Sequence, residues 1–290
     1  MAKITRFIAL AAVGVALLGN NAVARESRTV RIGWTAWSDA EAITRVTKQI
    51  LEKRMGYSVK LVLLDIALQY SAVAKGDLDL MLMAWLPNTH ADYWARVKDK
   101  VNDLGVLYSG ASLGWVVPDY VPRDKLSSIR DLKKPQVRER LDGRIQGIDP
   151  GAGLMRLSQK TMKVYDLEGY NLVSSSGAAM TAALKRAVRR RKWIVVTGWR
   201  PHWMFGAFHL RYLKDPKGTL GGKESIHAVG RKGLAKDDPK LVAFISRISI
   251  PLGQLEKLMY AGEKTSYAKA AAKYIDTHKA RIDRWVMGGQ

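Results

Sequence analysis

Residues 75–90 read KGDLDLMLMAWLPNTH, and from Leu78 to Trp85 only Asp79 interrupts an apolar run. A run of this length behind a Lys-Gly-Asp turn predicts a strand buried on both faces, delivering a tryptophan to a proline-bounded loop. Upstream, Ile66 to Ala74 reads as a helix ended by Gly76, and SVKLVLL (58–64) as a second strand. Ala40 to Met55 predicts a longer helix, with Ser38 as its N-cap and Glu41 three residues on, and TVRIGW (29–34) a first strand. Strand, helix, strand, helix, strand is a βαβαβ unit, which builds a parallel sheet and binds ligands where loops leave the strand carboxyl ends.

The same order recurs after the middle of the chain. GRIQGID (143–149), a helix opened by PGAG at 150–153, YNLVSSSG (170–177), the helix AAMTAALKRAVRRR (178–191) and WIVVTGW (193–199) form a second unit. IHAVG (226–230) and helices near 239–248, 254–260 and 266–279 complete the first unit. The expectation is two α/β lobes around a cleft, residues 25–113 with 223–290 as lobe I and 114–222 as lobe II.

The opening 24 residues carry Lys3 and Arg6, an apolar run from Phe7 to Leu18, and Ala22-Val23-Ala24. That pattern predicts a cleaved signal peptide, with the mature chain starting at Arg25 in the periplasm. There is no cysteine, which excludes disulfides, thiolate nucleophiles, cysteine-ligated metals and a lipidated N-terminal cysteine. The five histidines show no metal-ligand spacing, and neither a GxSxG elbow nor a phosphate loop occurs. No enzyme, metal or cofactor is expected.

Lysine and arginine total 48 against 26 acidic residues, a formal charge of +22. Lys185, Arg186, Arg189, Arg190, Arg191 and Lys192 form the densest basic run. Its alternative reading is a patch for nucleic acid or an anionic envelope polymer. It lacks interleaved aromatics, and no DNA- or RNA-binding motif accompanies it, so it reads as a solvated helix face and no nucleic acid partner is expected.

Where WIVVTGW ends, Arg200-Pro201-His202-Trp203 follows, so the second unit also delivers a tryptophan, Trp199, to a proline-bounded loop. Trp85 and Trp199 are expected to face each other across the cleft, with Trp34, Trp37 and Trp115 as further wall candidates. Aromatic walls without charge suit a quaternary ammonium, which cannot donate a hydrogen bond and binds the negative faces of rings. The start of the helix after Ser38, at Asp39 and Ala40, offers free amides for the carboxylate of a betaine. His202 is a candidate donor to that carboxylate or a brace for its own loop. His90 reads as a helix cap and Asp149 as a turn-former. Trp94, Trp193, Trp203 and Trp285 read as packing.

GWTAW, KGDLDLMLMAWLPNTHADYW, GIDPGAG, SSSGAAM and VVTGWRPHWMF, in this order, resemble the substrate-binding proteins of ABC transporters for glycine betaine, proline betaine and related osmoprotectants. The resemblance implies the type II periplasmic-binding-protein fold, a tryptophan cage with Trp85 and Trp199 as walls, and docking on a membrane permease. A monomer is expected. The family often has an acidic residue where this chain has Met83, and a cage tryptophan where it has Ile250. The third wall then falls to Trp34, Trp37 or Trp115, or the cage is rebuilt for a different ligand.

Overall fold

The computed structural model describes residues 28–288. The expected signal peptide, residues 1–24, lies outside them. The first half opens with β1 (Thr29–Trp34), α1 (Ser38–Met55), β2 (Ser58–Leu63), α2 (Ile66–Lys75), β3 (Leu80–Leu86) and α3 (Ala91–Val97). β1 pairs in parallel with β2 and β3. Every residue of β3 is buried, as its unbroken apolar run requires of a strand covered on both faces. α1 buries Ile43, Val46, Ile50 and Leu51 at helical spacing and ends on Gly56, whose φ of 76° is one that glycine adopts without cost.

β4 (Val101–Pro118) is 18 residues long and ties the molecule together. After it come α4 (Pro135–Arg140), β5 (Arg144–Gln146), α5 (Gly153–Val164), β6 (Asn171–Val173), α6 (Gly177–Arg189), β7 (Val196–Arg200), α7 (Met204–Ala207), β8 (Leu210–Tyr212) and β9 (Glu224–Arg231). The chain closes with α8 (Leu234–Asp237), α9 (Pro239–Arg247), α10 (Leu252–Lys264), α11 (Tyr267–Thr277) and α12 (Lys279–Met287). The strand order is β2-β1-β3-β9-β4-β7-β5-β6, with β8 beside β4. β4 runs antiparallel to β9 from Val101 to Ala111, then to β7 from Ser112 to Val116. One strand therefore serves both halves, each built on its own parallel three-stranded unit. α10 and α11 return to pack on α1.

The six basic residues at 185–192 are all exposed, while Met180, Thr181 and Leu184 face inward from α6. This is the solvated face of an amphipathic helix. Among the described residues no helix is long and apolar enough to cross a membrane.

Candidate functional site

β3 and β7 bring Trp85 and Trp199 to one cavity between the halves, with about 280 Å³ of empty space. Trp37, immediately before α1, supplies the third indole, its ring centroid 6.2 Å from that of Trp199. Leu113, Ile148 and Leu154 fill the gaps, and no charged side chain lines the space. Both cage strands are followed by cis prolines, Pro87 and Pro201.

Each indole is held by its N–H. Trp37 Nε1 donates to Asp149 Oδ2 at 2.9 Å, Trp85 Nε1 to Met83 Sδ at 3.3 Å, and Trp199 Nε1 to Asp39 Oδ1 at 3.2 Å. The first and third of these bonds cross from one half to the other. Tyr93 Oη donates to Gly151 O at 2.7 Å, and Arg156 Nη2 to Thr89 O at 2.9 Å, while Arg156 Nη1 pairs with Asp92 at 2.9 Å. The cleft is thus closed by direct contacts at several points.

Trp115 and Trp34 do not line the cavity, each for a physical reason. Trp115 is fully buried in β4 and donates to Ser158 on α5 at 2.9 Å, so it is interior to the second half. Trp34 sits at the end of β1 under the Arg45 guanidinium, 5.2 Å from its ring centroid, away from the cavity. Ile250 is buried in the first half with its amide on Leu107 O at 3.0 Å. The third indole at the cavity comes from just before α1, not from the C-terminal helices.

The amides at the start of α1 lie away from the cavity. Asp39 and Ala40 are both buried, and neither lines the space. α1 begins at Ser38, with Trp37 rather than Ser38 at its cap position. The start of α5 does reach the cavity. Ala152, Gly153 and Leu154 line the cavity, and, among the described residues, no protein acceptor takes the amides of Gly153 and Leu154. These are orphan first-turn donors at the positive end of a twelve-residue helix.

His90 stands at the N-cap position of α3, as the sequence predicts, but its side chain makes no cap hydrogen bond. Its Nδ1 accepts the Trp85 amide at 3.1 Å, and burial pushes its pKa down to about 3. The ring is therefore neutral, and an accepting Nδ1 leaves the proton on Nε2. His202 is the opposite case. It packs edge-on against Trp199 at 4.5 Å, accepts the Met204 amide at 3.1 Å, and braces its loop without lining the cavity.

Asp39 is fully buried, and desolvation pushes its pKa up to about 6 against the pull of hydrogen bonds from Tyr108 (2.7 Å) and Trp199. Its folded pKa lies above the unfolded value of 3.8. Below about pH 4 the group is protonated in both states and carries no penalty. As the pH rises to about 6, the unfolded chain ionises first and stability falls, by about 3 kcal/mol in full. Urea unfolding from pH 4 to 7 checks this: the stability of Asp39→Asn, minus that of the wild-type protein, should grow across that window. A constant difference contradicts the assignment.

A family model for the substrate binding domain of ABC-type glycine betaine transport systems (OpuAC) matches residues 28–277. The glycine betaine/carnitine transport binding protein GbuC of Listeria monocytogenes serotype 1/2a (strain 10403S) is 37% identical over 161 residues, 54% of this chain and 53% of that protein. The chain thus spans about half the length of that relative. The crystal structure of lactococcal OpuAC in its closed-liganded conformation complexed with glycine betaine is 37% identical, with a TM-score of 0.83 over 90% of this chain and 100% of that one. The glycine betaine/L-proline-binding protein ProX from Borrelia burgdorferi is 31% identical, with a TM-score of 0.84 over 90% and 97%. The family match runs from Arg28 to Thr277, through both lobes and every element that reaches the cavity, and the chain therefore belongs to the OpuAC family of substrate-binding domains of ABC-type glycine betaine transport systems.

Proposed function

We propose that the protein is a periplasmic receptor that captures glycine betaine or a close quaternary ammonium relative in the Trp37, Trp85 and Trp199 cage and presents it to an ABC transporter permease. The observation that carries this reading is an uncharged cavity in which three indoles meet. A methylated nitrogen gains roughly 0.5–2 kcal/mol from each desolvated ring, with no hydrogen bond to satisfy. The amides of Gly153 and Leu154 and the His90 Nε2 proton supply the matching donors for a carboxylate. At pH 7 Asp39 is ionised behind Trp199 and accepts its indole proton, which makes that ring a better partner for a cation.

Lobe I comprises residues 25–113 and 223–290, and lobe II residues 114–222. The chain passes between them inside β4, just after its pairing changes from β9 to β7, and again ahead of β9. Contacts such as Trp37 to Asp149 and Arg156 to Thr89 exist only when the lobes are shut. Ligand favours the closed form because it touches both lobes only there.

Calorimetric titration of the mature protein with glycine betaine, proline betaine, carnitine and choline tests the reading. Micromolar binding of at least one zwitterion, nearly unchanged between 50 and 500 mM salt, is the expected result. No heat with any of the four contradicts it.

A further inference from the structure

Trp37 and Trp199 are walls of a second chamber as well, which has about 600 Å³ of empty space, its open mouth included. Trp203 and Tyr267 extend the aromatic lining, and Glu41 from α1 and Glu263 from α10 face into it. No lysine or arginine lines this chamber, in a chain with 48 basic and 26 acidic residues. The one histidine there, His202, is neutral, because burial pushes its pKa down to about 3.

Each carboxylate is only half engaged. Glu41 uses Oε1 for Arg45, at 3.0 Å, and Glu263 uses Oε1 for the Tyr267 hydroxyl, at 2.8 Å. Among the described residues, the other oxygen of each has no protein partner. Ser38 also lines the chamber and is 8% exposed, and its buried hydroxyl has no hydrogen-bond partner. An unsatisfied buried hydroxyl costs about 1–3 kcal/mol unless a ligand or water meets it. The phenol of Tyr267 is raised by burial and then by Glu263, Glu41 and Asp39, so the negative field of three carboxylates converges here.

We propose that this chamber is an outer subsite for the ammonium end of an incoming quaternary ammonium solute, which occupies it before passing between Trp37 and Trp199 into the cage. The inference rests on the cage reading above and adds a route to it. Trp37 and Trp199 belong to different lobes, so opening parts them and joins the two chambers. The two carboxylates offset the repulsion of a strongly basic protein for a cation and orient a zwitterion ammonium first. Aromatic faces beside carboxylates suit this class of ligand more than a metal ion, which would need three or more oxygen donors.

Stopped-flow tryptophan fluorescence with choline and with glycine betaine, on wild type, Glu263→Gln and the Glu41→Gln/Glu263→Gln pair, tests the subsite. In the double variant the association rate should fall about tenfold for choline and about threefold for glycine betaine, with dissociation within twofold of wild type. Salt should change choline association little in wild type, where the carboxylates offset the repulsion, and speed it in the double variant, where the repulsion is no longer offset. Glu263→Gln alone, at an exposed position, should give an intermediate loss and needs no change in α1. Wild-type binding with unchanged association in both variants, or a loss confined to dissociation, overturns the subsite and leaves the cage standing. No wild-type binding of either solute overturns both.

Discussion

Trp85→Ala should weaken glycine betaine binding about thirtyfold, and Trp199→Ala more than a hundredfold. One indole over a desolvated quaternary ammonium is worth up to about 2 kcal/mol, and each 1.4 kcal/mol is a factor of ten in Kd. Trp85 gives up little beyond its ring face, because its N–H meets only the Met83 sulfur. Trp199 gives up more. Its N–H is one of two side-chain donors holding the buried Asp39 carboxylate, and the bond joins the lobes. Removing it leaves a buried acceptor short of a partner, at a further cost of about 1–3 kcal/mol. Trp199→Phe separates the two contributions, since it keeps an aromatic face and removes the N–H. Calorimetry should place it between wild type and Trp199→Ala, and circular dichroism should confirm that each variant is folded. Equal affinities for Trp199→Phe and wild type would remove Asp39 from the account.

Gly153→Ala should abolish tight binding by a different route, with affinity down about a hundredfold and the melting temperature within about 2 °C of wild type. Gly153 opens α5 in an ordinary helical conformation, so alanine meets no backbone strain. The obstacle lies across the cleft. A Cβ there would collide with the Thr89 carbonyl oxygen, and it would stand 2.7 Å from Thr89 Cγ2 and 3.0 Å from His90 Cδ2. Thr89 cannot retreat. Its amide and hydroxyl are held by Glu224, and Arg156 bonds its carbonyl at 2.9 Å. The added methyl group therefore holds the lobes apart, while the open form, in which Gly153 touches nothing opposite, folds as before. Small-angle scattering should show the wild-type protein contracting on adding ligand and Gly153→Ala failing to contract. Affinity within threefold of wild type would show that closure does not need this contact.

The two halves and two of the three indoles were readable because they depend on local patterns. β3 is an unbroken apolar run after a glycine, and both cage strands end in a tryptophan with a proline soon after. β4 left no such mark. Its register shifts near Gly105, Tyr108 and Ser109 break the two-residue alternation, and Gly105 and Gly110 take φ values of 114° and 82°. The strand that joins the lobes was therefore silent in the sequence.

The choice among Trp34, Trp37 and Trp115 turned on tertiary contacts. One residue of difference at the start of α1 puts Trp37, rather than Ser38, at the cap position, where Asp149 from the other lobe fixes its ring. The start of α1 reads in the sequence as an amide site for a carboxylate, whereas Asp39 and Ala40 are buried away from the cavity. His90 and Asp149 look like capping and turn residues in sequence. Their roles at the cavity appear only when β3 and α1 place Trp85 and Trp37 beside them.

The most direct measurement is a crystal structure of the mature protein grown with glycine betaine. The account predicts the trimethylammonium nitrogen within about 6 Å of the Trp37, Trp85 and Trp199 ring centroids, and the carboxylate on the Gly153 and Leu154 amides and His90 Nε2. Ligand density elsewhere in the cleft, or a carboxylate at the start of α1 with the indoles unoccupied, would contradict it.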